Sequence, residues 1–153
     1  MAIRPKMSQP SVSELKPKWH VIDVEGQTLG RISSEIAGLL QGKHRTNYVP
    51  YINTGDYVVV INAGKIRVTG DKMDQKKYYR HSGYHGGLKE SNLRQMLINH
   101  PDRVVKQSVK GMLPKNIPGR KMFSRLKVYA GNTHPHEAQV IGTERVQDSS
   151  ALS

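Results

Sequence analysis

Tyr57-Val58-Val59-Val60-Ile61 is the stretch that most restricts how the chain can fold. A strand with one solvated face alternates apolar and polar residues, whereas an unbroken apolar run suits a strand covered on both faces. This run is therefore placed centrally in a mostly parallel sheet. A first strand is expected from Trp19 to Val24, ended by Glu25-Gly26. A helix follows, with Thr28 as candidate N-cap, Ile32, Ile36, Leu39 and Leu40 on one face, and Gly42 as natural C-cap. The segment Lys65 to Val68 lies between two turn-forming stretches and carries no assignable state. Lys77 to His81 reads as a short polar strand.

Leu88 to Asn99, with Leu93, Met96 and Leu97 at helical spacing, is expected to be a helix. Another starts at Pro101 and buries Val104, Val105, Ser108, Val109 and Met112. Pro114, Pro118 and Gly119 predict an extended basic loop from Lys115 to Lys121, disordered before a partner binds. A helical turn around Lys121 to Leu126 and a last strand from Lys127 to Ala130 complete the pattern. Alternating strands and helices give an α/β domain with helices on both faces of a small parallel sheet.

At 153 residues the chain suits one domain with short extensions. Twenty-four Lys and Arg against twelve Asp and Glu leave a formal charge of +12. A polyanion relieves the resulting self-repulsion, and nucleic acid does so while releasing condensed counterions. An anionic membrane is the weaker reading, because no apolar stretch approaches the roughly 20 residues of a spanning helix. Cysteine is absent, which removes disulfides, thiolate zinc sites and a Cys nucleophile. Pro5, Pro10 and Pro17, without an apolar core, make the N-terminus a flexible arm rather than a signal peptide.

From Asp102 to Ala130, Arg103, Lys106, Lys110, Lys115, Arg120, Lys121, Arg125 and Lys127 face a single acid, Asp102. Simple solvation predicts mixed signs, so this one-signed run points to phosphate. Gly119 within it is expected to let the backbone approach closely. Lys76 to Gly87 interleaves cations and rings, with Tyr78, Tyr79 and Tyr84 near Arg80, His81 and His85, a composition that suits stacking on bases between phosphate contacts. Lys43, His44 and Arg45 form a third basic spot that also complements the end of the first helix.

Enzymatic readings fail on spacing. Gly38 to His44 is one residue short of a phosphate loop and lacks its Ser or Thr, and no Gly-x-Gly-x-x-Gly follows the first strand. His81 with His85, and His134 with His136, bring no obvious third ligand, so no metal is expected. Asp23, Glu25 and Asp56 lie near strand ends, where capping and turn formation account for them.

The run GMLPKNIPGRKMFSRLKVYAGNTHPHEAQ, over residues 111 to 139, resembles the signature stretch of the large-subunit ribosomal protein L-thirteen family. WHVIDVEGQTLGR from Trp19, NTGDYVVV from Asn53 and YYRHSGYHGG from Tyr78 resemble the same family in the same order. The resemblance implies a three-layer α/β/α sandwich with a four-stranded parallel sheet and basic extensions. It divides the chain into an arm over residues 1–15, one domain over residues 16–139 and a polar tail over residues 140–153.

The implied partners are large-subunit ribosomal RNA and neighbouring ribosomal proteins, with an early part in subunit assembly. No membrane, small-molecule substrate, cofactor or homo-oligomer is implied. The expected compartment is the cytoplasm or a plastid stroma, and a free nucleic-acid-binding regulator is the alternative. The candidate RNA-contacting residues, from charge pattern and resemblance together, are Lys43, His44, Arg45, Lys77, Tyr79, Arg80, His81, His85, Lys110, Lys115, Asn116, Arg120, Lys121, Arg125, Lys127, His134 and His136.

Overall fold

A computed structural model describes residues 15–143 of the chain. Residues 1–14 of the expected arm over residues 1–15, and residues 144–153 of the expected tail, lie outside the described residues. In chain order the elements are β1 (Trp19–Asp23), α1 (Leu29–Gln41), β2 (Tyr57–Ile61), a 3-10 turn (Ala63–Lys65), α2 (Lys72–Gln75), β3 (Lys77–His81), β4 (Leu88–Asn92), α3 (Leu93–Asn99), α4 (Pro101–Met112), α5 (Ile117–Ser124) and β5 (Leu126–Val128). Residues 137–143 are also helical.

The apolar run is the middle strand. β1 pairs with one edge of β2 in parallel, Trp19 opposite Tyr57, and β5 pairs with the other, Val58 opposite Leu126. Val58, Val59 and Val60 are fully buried, as a doubly covered strand requires. Both connections step in the same direction across the sheet, so the right-handed crossover rule puts their helices on one side. α1 and α4 accordingly pack together, and Val58 and Val60 share one apolar cluster with Ile32, Ile36, Leu40, Val104, Val105 and Val109. On the other face Trp19 stacks on Tyr57 with ring centroids 4.4 Å apart, and His136, from the segment after β5, lies against Trp19.

The parallel sheet therefore has three strands among the described residues, not the four expected. Arg67, in the segment that carried no assignment, forms only a single parallel bridge with Thr28. β3 does not join the sheet either. It pairs antiparallel with β4, Lys77 opposite Asn92 and His81 opposite Leu88, in a separate hairpin. This corrects the expected helix from Leu88 to Asn99: residues 88–92 contain one apolar side chain and no helical stripe, and the helix starts at Leu93, where that stripe begins. Gly83 and Gly86, at positive φ, make the hairpin turn possible.

α4 buries Val104, Val105 and Val109 as expected, but Met112 stays 42% exposed and Leu113 takes the inward position. The expected extended loop is helical from Ile117 onward. The Asn116 side chain accepts from the Gly119 N–H at 2.8 Å, and Pro118 sits in the first turn, where a missing donor costs nothing. A Cβ on Gly119 would overlap the Pro114 carbonyl, so this glycine serves the packing of the chain on itself.

Two glycines join α1 to the entrance of β2. Gly42 ends α1 in the left-handed region, φ 80°, and packs against Thr54. Gly55 lies against the Leu40 carbonyl, with no room for a Cβ. The next residue, Asp56, is the focus of a polar cluster. Its Oδ1 accepts the Lys18 N–H at 2.8 Å and the Arg45 guanidinium, and its Oδ2 lies 3.0 Å from His20 Nε2 and 2.8 Å from His44 Nε2. Burial pushes this carboxyl up, but the bonds from His20 and Lys18 together with the Arg45 charge outweigh it and hold the carboxyl at about 2. One buried acid thus ties the segment before β1, β1 itself and the turn after α1 to the central strand.

Gly55→Ala is expected to destabilise the protein by more than about 2 kcal/mol in chemical denaturation, because backbone must move to admit the methyl group. Gly38→Ala, in open space on α1, is expected to stabilise it by up to about 1 kcal/mol. The carboxyl of Asp56 is lower in the folded chain than its ordinary 3.8, so its contribution is complete above that value and is lost as pH falls toward about 2. The contribution is on the order of 2 kcal/mol. Denaturation midpoints between pH 5 and 2 should show that loss in the parent and a flatter profile in Asp56→Asn.

Candidate nucleic-acid interface

The apolar stripe of α4 leaves its other side to cations. Arg103, Lys106 and Lys110 are spaced three and four residues apart, so their side chains share one helical face. The β3–β4 hairpin stands beside that face and α5 lies beyond its end. Together they enclose an open trough of about 550 Å³ lined by Tyr78, Tyr79, Arg80, Lys89, Ser91, Gln95, Met96, Asn99, His100, Arg103, Lys106, Gln107, Lys110 and Phe123. A second hollow of about 600 Å³ continues it past Gln107, Lys110 and Phe123 to Lys115, Asn116, Gly119 and Arg120. No carboxylate lines either one, while Arg80, Lys89, Arg103, Lys106, Lys110, Lys115 and Arg120 do. A concave wall of one sign over apolar protein concentrates the potential and draws in a polyanion.

Local packing orients several of these groups. Lys110 Nζ lies 5.9 Å from the centroid of the Phe123 ring, a cation–π contact at the junction of the two hollows. Lys106 reaches Asp102 at 3.1 Å, one turn away. Burial pushes the Asp102 carboxyl up, but the bond from Lys106 overcomes this and leaves it below its ordinary value. On β3 only Tyr78 packs against the core, where burial raises its phenol, while its neighbour Tyr79 is 61% exposed. Arg80, Lys110, Lys115, Arg120 and Lys121 are all exposed and form no ion pair among the described residues.

Other expected contacts have tasks inside the chain. His44 and Arg45 are turned toward Asp56, leaving Lys43 as the outward cation of that spot. Lys77 pairs with Glu90 at 3.1 Å, and this bond with its charge raises the ammonium above its usual range. His81 Nδ1 accepts the Gly83 N–H at 2.9 Å, and His85 is exposed in the same turn. Arg125 donates to the Gly55 carbonyl and lies 5.2 Å from the Tyr57 ring centroid, so its guanidinium braces the strand entrance.

His134 and His136 belong to the aromatic group on the second face of the sheet. His136 Nε2 lies 2.8 Å from the Tyr129 hydroxyl, and the His136 N–H donates to His134 Nδ1 at 3.2 Å. Burial, and then the nearby Lys127 charge and His134, lower the His136 imidazole, which keeps it neutral near pH 7. Lys127 is half-buried on the same face, apart from the trough residues.

Sequence reasoning missed Lys89 as a trough residue, because residues 88–99 read as a helix. It noted Arg103 and Lys106 only as part of a basic run. Their spacing with Lys110 on a helix whose buried stripe was already legible was the usable signal.

Comparison with known proteins gives the family of the chain. The family profile described as "Ribosomal protein L13" matches residues 17–135. "Large ribosomal subunit protein uL13" of Thermotoga maritima is 57% identical over 126 residues, covering 82% of this chain and 85% of that protein. The protein of the same name from Thermus thermophilus is 58% identical over 126 residues, covering 82% and 90%, and that from Pseudomonas putida is 56% identical over 125 residues, covering 82% and 88%. The matched span runs from the strand that opens the sheet through the trough and the last strand, and on that footing the chain belongs to the ribosomal protein L13 family.

Proposed function

We propose that this chain is a structural constituent of the large ribosomal subunit, not an enzyme, and that it holds large-subunit ribosomal RNA along the trough between the β3–β4 hairpin, α4 and α5. The reading is carried by one observation: seven cations line two continuous hollows with no carboxylate on their walls. Contacts run chiefly to phosphate and sugar, since the deep, narrow major groove of A-form RNA does not admit side chains. Tyr79, exposed beside Arg80, stacks on an unpaired base.

Residues 16–139 act as the RNA-engaging unit, with neighbouring large-subunit proteins against its remaining surface, and the chain enters the particle early in assembly. Its place of work is the cytoplasm, on the ribosome. Lys43, His85 and Lys121 extend the contact beyond the trough lined by Lys115 and Arg120, whereas His44, Arg45, Arg125 and His136 support it by fixing the scaffold.

Binding of the purified protein to a large-subunit RNA fragment should weaken steeply with salt, with a log–log slope set by several phosphate contacts. Arg103→Ala combined with Arg120→Ala should lower that slope by roughly 1 to 2, and Lys77→Ala, whose ammonium is already paired, by less. A slope unchanged in the double variant would remove the trough from the interface. In competition for assembly, Arg120→Ala with Lys121→Ala should be under-represented in large-subunit particles relative to the parent. Equal incorporation would contradict the role of α5, and native protein sedimenting apart from ribosomal particles would favour a free regulator.

A further inference from the structure

His20, His44 and Asp56 come from three separate places, the start of β1, the turn after α1 and the entrance of β2, yet their ligand atoms lie within 4.8 Å of one another. Both imidazoles direct Nε2 at the same carboxylate oxygen, at 3.0 and 2.8 Å. The other carboxylate oxygen is taken up by Arg45 and the Lys18 N–H. The buried carboxylate is therefore held in one orientation with Oδ2 toward the two rings, while those side chains are 33% and 36% exposed. A fixed oxygen and two imidazole nitrogens converge at a spot that solvent reaches from one side.

We propose that His20 Nε2, His44 Nε2 and Asp56 Oδ2 bind one divalent transition-metal ion of the zinc class, with water completing the coordination. Two imidazoles and one carboxylate are a borderline donor set that suits zinc and disfavours magnesium and calcium, which call for oxygen ligands. An imidazole binds a metal ion through an unprotonated ring nitrogen, so each ring would ligate from Nε2 with its proton on Nδ1. Arg45 acts from outside the coordination sphere, orienting the carboxylate and offsetting part of its charge. That offset makes the site weaker than a thiolate centre and dependent on all three ligands. The absence of metal expected from sequence rested on the pairs His81 with His85 and His134 with His136, neither of which contributes here.

The test uses the metal-stripped full chain, titrated with zinc in competition with a chromophoric chelator, and with cobalt as a spectroscopic probe. The parent should take up one equivalent, show the cobalt bands of a nitrogen and oxygen site of low coordination number, and gain thermal stability on adding zinc. His20→Gln and His44→Gln should each weaken zinc by at least about tenfold and abolish the stabilisation, with the fold checked by circular dichroism. His134→Ala with His136→Ala, and His81→Ala with His85→Ala, should bind like the parent, and magnesium should not compete. Parent-like zinc affinity in both single variants, or no stoichiometric uptake by the parent, would overturn the assignment. RNA takes no part in the titration, so the outcome is independent of the trough.

Discussion

Backbone pairing on both edges of β2 is the constraint from which the remaining architecture follows. With β1 on one side, β5 on the other and three valines sealed from solvent, the strand has neither edge nor face left for water. Both pairings are parallel, so neither can be closed by a tight turn and each needs a long connection carrying its own covering layer. The first connection supplies α1. The second, from Asn62 to Arg125, supplies the hairpin, α3, α4 and α5, and with them every cation that lines the trough. Scaffold and candidate interface are consequently inseparable: the surface proposed to face RNA is the outer side of the crossover that closes the sheet.

The excess of positive charge is divided between two uses. Arg45 and Arg125 point inward, one onto the buried Asp56 and the other onto the Gly55 carbonyl and the Tyr57 ring, and they fix the mouth of the central strand. Arg80, Lys110, Lys115 and Arg120 face outward around a concavity without acids. Asp56 is the only acid buried among the described residues, and it sits amid the inward group. The trough cations repel one another with little internal relief, a cost to the free fold that a polyanion offsets. Lys106 is an intermediate case, lining the trough while bonded to Asp102.

What the sequence disclosed tracks how local each signal is. β1, α1 and β2 were legible because their patterns are self-contained: an apolar run, a stripe at helical spacing, and a glycine where α1 must stop. The strand at residues 88–92 was not, because its pairing is decided by β3 across a glycine turn and its own residues lack any apolar alternation. Pro118 and Gly119 suggested a loop, yet both fit inside α5 once Asn116 caps it, so residues that break a helix interior are harmless at its first turn. The cluster at Asp56 was hidden for a different reason. His20, His44 and Asp56 are far apart in the chain, and only the parallel pairing of β1 with β2 brings them together.

The stack of Trp19 on Tyr57 has a practical side. Trp19 is the sole tryptophan, and it faces Tyr57 across the β1–β2 pair with a 7° interplanar angle, His136 lying against it. Its indole emission is therefore an intrinsic optical gauge of whether the first strand is docked, read without any attached dye. Because the second face of the sheet holds that ring while the trough lies among the helices, the signal follows sheet closure at a place separate from the proposed RNA contacts.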